Sequence, residues 1–427
     1  MSVFHLMKTF CLWGGALTAL VLSGCKPEPK RFVPLPTEVY VWQRAWKPEL
    51  AESVEQSKSW VQTYHLLMAE VGFEKGKGKI TRIQADPTVM KSQKVGLVLR
   101  VFPSAAKTGW GAEATKLVVD LAKETVSAWP AGNVAELQLD YDCPDSKLVE
   151  YIRLLTEVKA ALFPLKVTCT VLPSWLRQKE FSALAAIVPG YVLQVHSLHL
   201  PKTQDKAVAL VDLAETRNAL AQAVTIGVPF RVALPTYSCV VEFDPAGKVR
   251  EVYAEDVPQA LPLQSANYVV LDADAYGMAD LVSRWRTEAS PLLQSVVWYR
   301  LPVAQDRLNW PLDVLAKVAL GESLKRGWLA HCKKQEAGHA EVVIEQAGDA
   351  PDDLPTLVTL HWAGSEAVGA DALGGYQVVE SAAGYLSLKL VNPGRMPRVG
   401  SGTKRVIGWL RVEGSTGPVD IFAKAIR

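Results

Sequence analysis

Residues 136–142 alternate strictly: Glu136, Gln138, Asp140 and Asp142 are polar, and Leu137, Leu139 and Tyr141 between them are apolar. Successive side chains on a strand point to opposite faces, so the pattern predicts a strand with four polar groups on one side. Strand-like runs recur along the chain at 39–44, 63–71, 96–102, 135–141, 166–172, 191–196, 230–234 and 296–300. Between most of them the period lengthens to that of a helix, at 112–127, 147–162, 175–187 and 213–226. Within 147–162, Leu148, Ile152, Leu155 and Val158 fall at three- and four-residue spacing, an apolar stripe that needs a sheet to bury against. Alternating β and α units with about eight strands over roughly 290 residues predict an α/β fold, a TIM-type (β/α)8 barrel. The barrel is expected over 37–325.

Two excursions interrupt the alternation. Glu74-Lys75-Gly76-Lys77-Gly78-Lys79 reads as a hairpin turn after the second strand. Residues 239–290 form a long insertion after the seventh, with Asp244-Pro245-Ala246-Gly247 as another turn. From 335 to 427 the character changes. Short alternating runs at 340–346, 357–362, 385–391, 405–412 and 419–425, separated by Gly, Pro and Asp, predict a small C-terminal β-sandwich.

The N-terminus adds an address. Lys8 precedes an apolar run at 9–22 that is short for a membrane span and suits a secretory signal. It closes on Leu22-Ser23-Gly24-Cys25, which resembles the bacterial lipoprotein signal; this implies removal of 1–24 and lipidation of Cys25. Lys26 follows where Asp would favour inner-membrane retention, so the expected location is the bacterial cell envelope, on the periplasmic side of the outer membrane. Residues 25–36, rich in proline, read as a stiff tether.

Removing 1–24 deletes one lysine and no acid, taking the formal charge from +2 to +1. Near-neutral charge without a basic run argues against a nucleic-acid partner. Once Cys11 leaves with the signal and Cys25 is lipidated, Cys143, Cys169, Cys239 and Cys332 remain, too few for a disulfide scaffold but enough for one or two bridges. His196 and His199 are three apart without a partner motif, so no metal and no cofactor is implied.

In a closed barrel the outer face of each strand packs under helices, so polar alternants point inward or to the mouth. Arg100, Gln194, His196 and Arg231 alternate with apolar neighbours, Glu70 ends the second strand and Arg300 the last. With Asp140 and Asp142 they predict a cup holding both signs of charge at the strand C-termini, where such barrels carry their sites. A salt-bridged layer that fixes register is the other reading of Arg100 and Glu70. Aromatic residues collect near the same strand ends: Trp42 and Trp46 flank Gln43 and Arg44, and Tyr141, Trp175, Tyr237 and the Trp298-Tyr299 pair follow. Flat amphipathic rings beside carboxylates and arginines suit sugars, although such rings also cap barrel cores.

Val39-Tyr40-Val41-Trp42-Gln43-Arg44-Ala45-Trp46, Gln138-Leu139-Asp140-Tyr141-Asp142, Leu172-Pro173-Ser174-Trp175-Leu176, Gln194-Val195-His196 and Ala233-Leu234-Pro235-Thr236-Tyr237 occur in order. Together they resemble an uncharacterised bacterial family of exported, TIM-barrel-like domains of unknown function. The resemblance covers most of 37–320 and implies a fold related to the glycoside-hydrolase barrels, without an established activity. Asp140 and Asp142 are also similar to the fourth-strand acids of chitinase-type barrels. There the pattern places a glutamate two residues beyond the last aspartate, where this chain has Pro144, which argues against chitinase-type, substrate-assisted chemistry.

A glycosidase ordinarily needs two carboxylates. Asp142 is the expected acid, tuned by Asp140; the second group would come from Glu70, from Asp272 or Asp274 in the insertion, or from His196 acting as base. Sugar contacts are expected from Trp42, Arg44, Trp46, Arg100, Tyr141, Trp175, Gln194, Tyr237, Trp298 and Arg300. Phosphate loops, nucleophile elbows and metalloprotease motifs are absent from the sequence. The chain therefore reads as a lipid-anchored, glycoside-hydrolase-like protein, and alternatively as a non-catalytic lipoprotein binding a glycan or a partner protein.

Overall fold

The computed structural model describes residues 35–74, 77–103, 111–130, 132–203, 208–254, 267–288, 290–334, 339–363, 367–393, 398–412 and 421–426. The signal, Cys25 and most of the tether lie outside the described residues, as do Lys75 and Gly76 of the first hairpin turn.

Eight parallel strands close into a barrel: β1 (Thr37–Val41), β2 (Thr63–Glu74), β4 (Val95–Val101), β5 (Val134–Tyr141), β6 (Lys166–Val171), β7 (Tyr191–Gln194), β8 (Phe230–Pro235) and β12 (Leu293–Tyr299). Around the ring the order is β1, β12, β8, β7, β6, β5, β4 and β2, and β2 pairs with β1 to complete the circle. β3 (Lys77–Arg82) pairs antiparallel with β2 as the predicted hairpin. Helices cover the outside: α1 (Pro48–Ser57), α2 (Ala112–Ala128), α3 (Leu148–Leu162), α4 (Phe181–Ile187), α5 (Leu213–Ile226), α6 (Ala275–Glu288) and α7 (Leu312–Leu320). The predicted helix at 175–187 is two pieces, a single 3-10 turn at Trp175–Arg177 followed by α4.

Local chemistry sets several of these boundaries. Asp212 caps α5, its Oδ1 accepting the Ala214 and Glu215 N–H groups at 2.8 and 2.9 Å. Gly227, at φ 79°, ends the same helix in a left-handed turn that other residues rarely adopt. In α3 the buried stripe is Leu148, Tyr151, Leu154, Leu155, Val158 and Leu162, which lies against the barrel wall with Ile152 at its edge.

Inside the barrel the alternants stack in layers. At the N-terminal end Arg231 reaches Glu136 at 2.7 Å and Glu38 at 3.1 Å, and His65 Nε2 meets Glu38 at 2.6 Å. Thr168 and Ser295 complete this layer by bonding Arg231 and Glu38. Gly96 lies beside it, and a Cβ there would come within 2.4 Å of His65 Nδ1. Arg231, expected at the mouth, thus builds a register-fixing polar layer at the opposite end of the barrel, a role the sequence suggested for Arg100 and Glu70. The middle layer is largely apolar, with Leu67, Val98, Val192, Ala233 and Val297 around Tyr40, whose hydroxyl donates to Gln138 Oε1 at 2.7 Å. The upper alternants open at the C-terminal mouth.

The insertion between β8 and α6 holds a three-stranded antiparallel sheet of β9 (Ser238–Phe243), β10 (Val249–Tyr253) and β11 (Tyr268–Asp272), in the order β10-β9-β11. The predicted turn at 244–247 joins its first two strands. The C-terminal region forms two four-stranded antiparallel sheets. One orders β13 (Trp328–Lys334), β14 (His339–Gln346), β19 (Lys404–Val412) and β16 (Ala367–Ala372). The other orders β17 (Tyr376–Ala382), β18 (Tyr385–Leu390), β15 (Leu357–Trp362) and β20 (Ile421–Ile426). Val342, Ile344, Val358, Leu360, Leu386, Leu388 and Leu410 form a core between them, as in a sandwich. Tyr276 of α6 donates to Ala350 O at 2.9 Å and Lys317 of α7 pairs with Asp349 at 2.9 Å, joining this region to the barrel. Among the described residues no helix is long and apolar enough to cross a membrane.

Candidate functional site

At the C-terminal mouth lies a cleft of about 580 Å³. Its lining comes from seven barrel strands or the loops directly after them, Thr170 of β6 among them, and from β10 of the insertion. β1 and its following loop supply Tyr40, Trp42 and Arg44; β4 supplies Arg100; β5 and the residue after it supply Asp140 and Asp142. Gln194, His196 and Ser197 come from β7 and its loop, Tyr237 follows β8, and Tyr299 and Arg300 close β12.

An aromatic floor runs across this cleft with Tyr299 at its centre. The Tyr299 ring lies 5.1 Å from Trp42, 5.5 Å from Tyr237 and 5.9 Å from Tyr40, all edge-on, and stacks on His196 at 5.5 Å. Tyr237 hydrogen-bonds Ser197 through the two hydroxyls, and its OH stands 3.5 Å from His196 Nδ1. Burial drives the His196 pKa down to about 3, so the ring is neutral at ordinary pH and has little strength as a base.

Two carboxyl groups face the floor. Asp140 Oδ1 accepts from Thr170 at 2.8 Å, and its Oδ2 lies 3.9 Å from Arg100 Nε. Burial raises the Asp140 pKa, opposed by the Arg100 charge and the Thr170 bond. Asp142 is held less: its Oδ1 is buried and has no partner among the described residues. Burial, and next the Asp140 charge, raise its pKa to about 7 against the pull of Arg100. The Arg100 guanidinium itself rests over the Trp42 and Phe102 rings at 5.6 and 5.3 Å.

The other two arginines are each backed by an acid outside the cleft lining. Arg44 donates twice to Glu70, Nε at 2.9 Å and Nη2 at 2.8 Å. Arg300 Nη2 donates to Asp306 Oδ1 at 2.9 Å. Glu70 is therefore buried behind Arg44, and its carboxylate is consumed in that pair instead of standing free as the second catalytic acid.

Trp42, Arg44, Arg100, Asp140, Asp142, Gln194, His196, Tyr237 and Arg300 thus meet in one cleft, as expected. Four expected sugar contacts, Trp46, Tyr141, Trp175 and Trp298, do not reach it. Tyr141 points out of the barrel and meets Tyr151 of α3 edge-on at 5.1 Å; Trp175 meets the same Tyr151 ring edge-on at 5.8 Å. Trp298 also faces outward, 5.9 Å from Trp310. These three are core residues: strand alternation turns Tyr141 and Trp298 away while their neighbours turn in, and Trp175 is buried in the 3-10 turn after β6. Trp46 packs half-buried against the core without lining the cleft. Asp272 and Asp274 line a separate cavity of about 300 Å³ with Asp353 and Arg398, so they supply no carboxylate to the mouth. Tyr40, Thr170 and Ser197 line the cleft without a signal taken from the sequence, and of the Trp298-Tyr299 pair it is Tyr299, with the inward parity of Val297, that lines the cleft in place of Trp298.

The described cysteines Cys143, Cys169, Cys239 and Cys332 are free thiols, and burial raises the pKa of Cys169 and Cys239 to about 12, which denies them a nucleophile's ionisation. Among the described residues no group of three or more His, Cys, Asp or Glu is placed to hold a metal ion.

Residues 111–304 match the model of a family described as a domain of unknown function (DUF3142), and 329–413 match a second, also described as a domain of unknown function (DUF8456). Four of the five ordered motifs fall inside the first match; the one around Trp42 precedes it. No curated protein matches the chain. Similar solved structures include a chitinase from Chromobacterium violaceum, at 11% identity and a TM-score of 0.45, covering 67% of this chain and 99% of that one. A chitinase from Bacillus thuringiensis is similar at 9% identity and a TM-score of 0.47, covering 91% and 100%. The spore cortex-lytic enzyme SleL of Bacillus cereus is similar at 10% identity and a TM-score of 0.47, covering 69% and 75%.

Proposed function

We propose that the barrel mouth takes a glycan and that Asp142 delivers a proton to a glycosidic oxygen there. The observation that carries this reading is the Asp140–Asp142 pair beside an aromatic floor. A carboxyl whose pKa lies at about 7 is part-protonated at neutral pH, as a general acid must be. The pair can hold one proton and one negative charge together. The proton belongs mainly on Asp142, because Asp140 has Thr170 and Arg100 to favour its ionised form. The remaining charge on Asp140 would stabilise positive charge developing on the sugar ring. The Tyr299 ring, half-buried and backed by Trp42, provides the apolar surface on which a pyranose can lie.

A second reading, glycan binding without cleavage, is favoured by one observation. Among the described residues, the two acids lining the cleft project from the end of β5, whereas acid and base or nucleophile ordinarily flank the scissile bond. Turnover and binding of a panel of polysaccharides and aryl glycosides, recorded for wild type and Asp142→Asn, separate the two. Turnover lost by about a hundredfold with binding retained supports the acid role. Binding without turnover in either protein supports the binding module.

The proposal includes a location: a lipid on Cys25 tethers the body to the periplasmic face of the bacterial outer membrane, on the strength of Leu22-Ser23-Gly24-Cys25. Cys25→Ser should leave an unprocessed precursor or a form released from membranes; unchanged fractionation and processing would remove the anchor from the account.

A further inference from the structure

We infer that the glycan is acidic, and that Arg300 receives the carboxylate of one of its sugars. This rests on the glycan reading above and adds the substrate class. Arg300 is only 6% exposed, yet it lines the cleft. Its Nη2 donates to Asp306, but its Nε is buried with no acceptor among the described residues. Buried donors in folded proteins are almost always satisfied, so the Arg300 guanidinium at the cleft keeps hydrogen-bonding capacity that Asp306 does not use. The rest of the residue is fixed in advance. Its N–H donates to Thr236 Oγ1 at 3.0 Å, and its carbonyl accepts from the same hydroxyl at 2.6 Å. Asp306, which aims the guanidinium, is itself held by the Val303 N–H at 3.0 Å and by Asn309 at 3.3 Å.

Charge selects an anion over a neutral hydroxyl. Among the described residues, the cationic side chains in the lining are Arg44, Arg100 and Arg300, with no lysine. Glu70 and Asp306, the acids that orient two of them, are absent from the lining, so each pair presents its positive end to the cavity. Guanidinium, planar and weakly hydrated, is the cation that suits a carboxylate in a part-dry site. Ring order then removes the apparent conflict with Asp140 and Asp142. β12, which carries Arg300, and β5, which carries the two acids, stand four positions apart in the ring of eight, on opposite sides of the mouth. A sugar lying on Tyr299 would present its charged group to Arg300 and its glycosidic oxygen to Asp142, with the ring separating the like charges.

The test measures binding of the purified full chain to oligogalacturonate, oligomannuronate and hyaluronan fragments, each beside its carboxyl-reduced counterpart. The reduced sugars keep ring and linkage and lose only the charge. An acidic member should bind about tenfold or more tightly than its reduced partner, the scale of one charge-assisted hydrogen bond in a buried site. That ratio should fall towards one in Arg300→Gln, with its thermal unfolding checked in parallel; the wild-type ratio needs no variant. Reduced sugars binding as tightly as the acids would overturn the inference and leave the glycan reading standing, as would a ratio that survives in a folded Arg300→Gln. Binding of neither set would count against both.

Discussion

Asp140 and Asp142 leave β5 on one face, two residues apart, yet only Asp140 is bound: Thr170 donates to its Oδ1 at 2.8 Å, while Asp142 Oδ1 is buried with no partner among the described residues. One strand therefore carries a fixed carboxylate and, beside it, a carboxyl free to exchange a proton.

That asymmetry has a consequence for stability. Asp142 holds its proton up to about pH 7 in the folded protein, against 3.8 for the ordinary group. Its contribution to stability is then fully present below about pH 4 and is lost as pH rises through 7. Asp142→Asn removes the titration without changing shape. Relative to wild type, the variant should gain on the order of 3 kcal/mol between pH 4 and pH 8. Denaturant melts at the two pH values check this; a constant difference between the proteins would show that Asp142 is ionised throughout.

The adjacent residues Trp298 and Tyr299 should separate fold from function. Trp298 is wholly buried outside the barrel, so Trp298→Ala should cost about 3–5 kcal/mol of stability. Tyr299 lies on the cleft floor, so Tyr299→Ala should weaken glycan binding by roughly 0.5–1.5 kcal/mol beyond its area term while costing less stability. Thermal melts and titration calorimetry on both variants give the answer. An affinity loss confined to Trp298→Ala would invert the assignment.

The polar layer at the far end of the barrel should behave as structure. Burial opposes ionisation of Glu38, but the His65 bond, the Arg231 charge and the Ser295 bond outweigh it and bring its pKa to about 2. This contribution is present above the ordinary value of 4.5 and is lost as pH falls towards 2. Glu38→Gln should cost about 3–5 kcal/mol at pH 7, as for breaking a buried ion pair. Gly96→Ala should cost about 1–3 kcal/mol, because its Cβ would press on His65 Nδ1. Equilibrium unfolding measures both, and variants as stable as wild type would mean the layer is not tightly formed.

The barrel was legible because each strand bears its own signal. The alternation at 136–142 placed Asp140 inward, and the observed strand runs Val134–Tyr141. The aromatic contacts were less legible for a reason visible in Trp298 and Tyr299. Nearness to a strand end does not say which face a ring takes; parity does, and Val297, pointing inward, makes Tyr299 inward and Trp298 outward. Tyr141 was misplaced in the same way, although its alternation with Asp140 already set it on the apolar face. Glu70 shows a different limit. Its pairing with Arg44 joins β2 to the loop after β1, residues 26 apart in sequence, and no local pattern reveals that a carboxylate is already engaged. In the C-terminal region β16 and β17 went unread because Ala367–Ala372 is small-residue rich and most of Tyr376–Ala382 is exposed, so neither displays a clean apolar face.

The central claim, that a proton sits on the mouth carboxyl at neutral pH, is tested most directly by following the aspartate side-chain carboxyl signals of ¹³C-labelled protein by NMR from pH 3 to pH 9. The account expects the Asp140–Asp142 pair to release its last proton at about pH 7, with that step missing in Asp142→Asn and moved upward in Arg100→Met, where the cation that lowers both groups is gone. Aspartate signals that all titrate below about pH 5, in the ordinary carboxylate range, would contradict it.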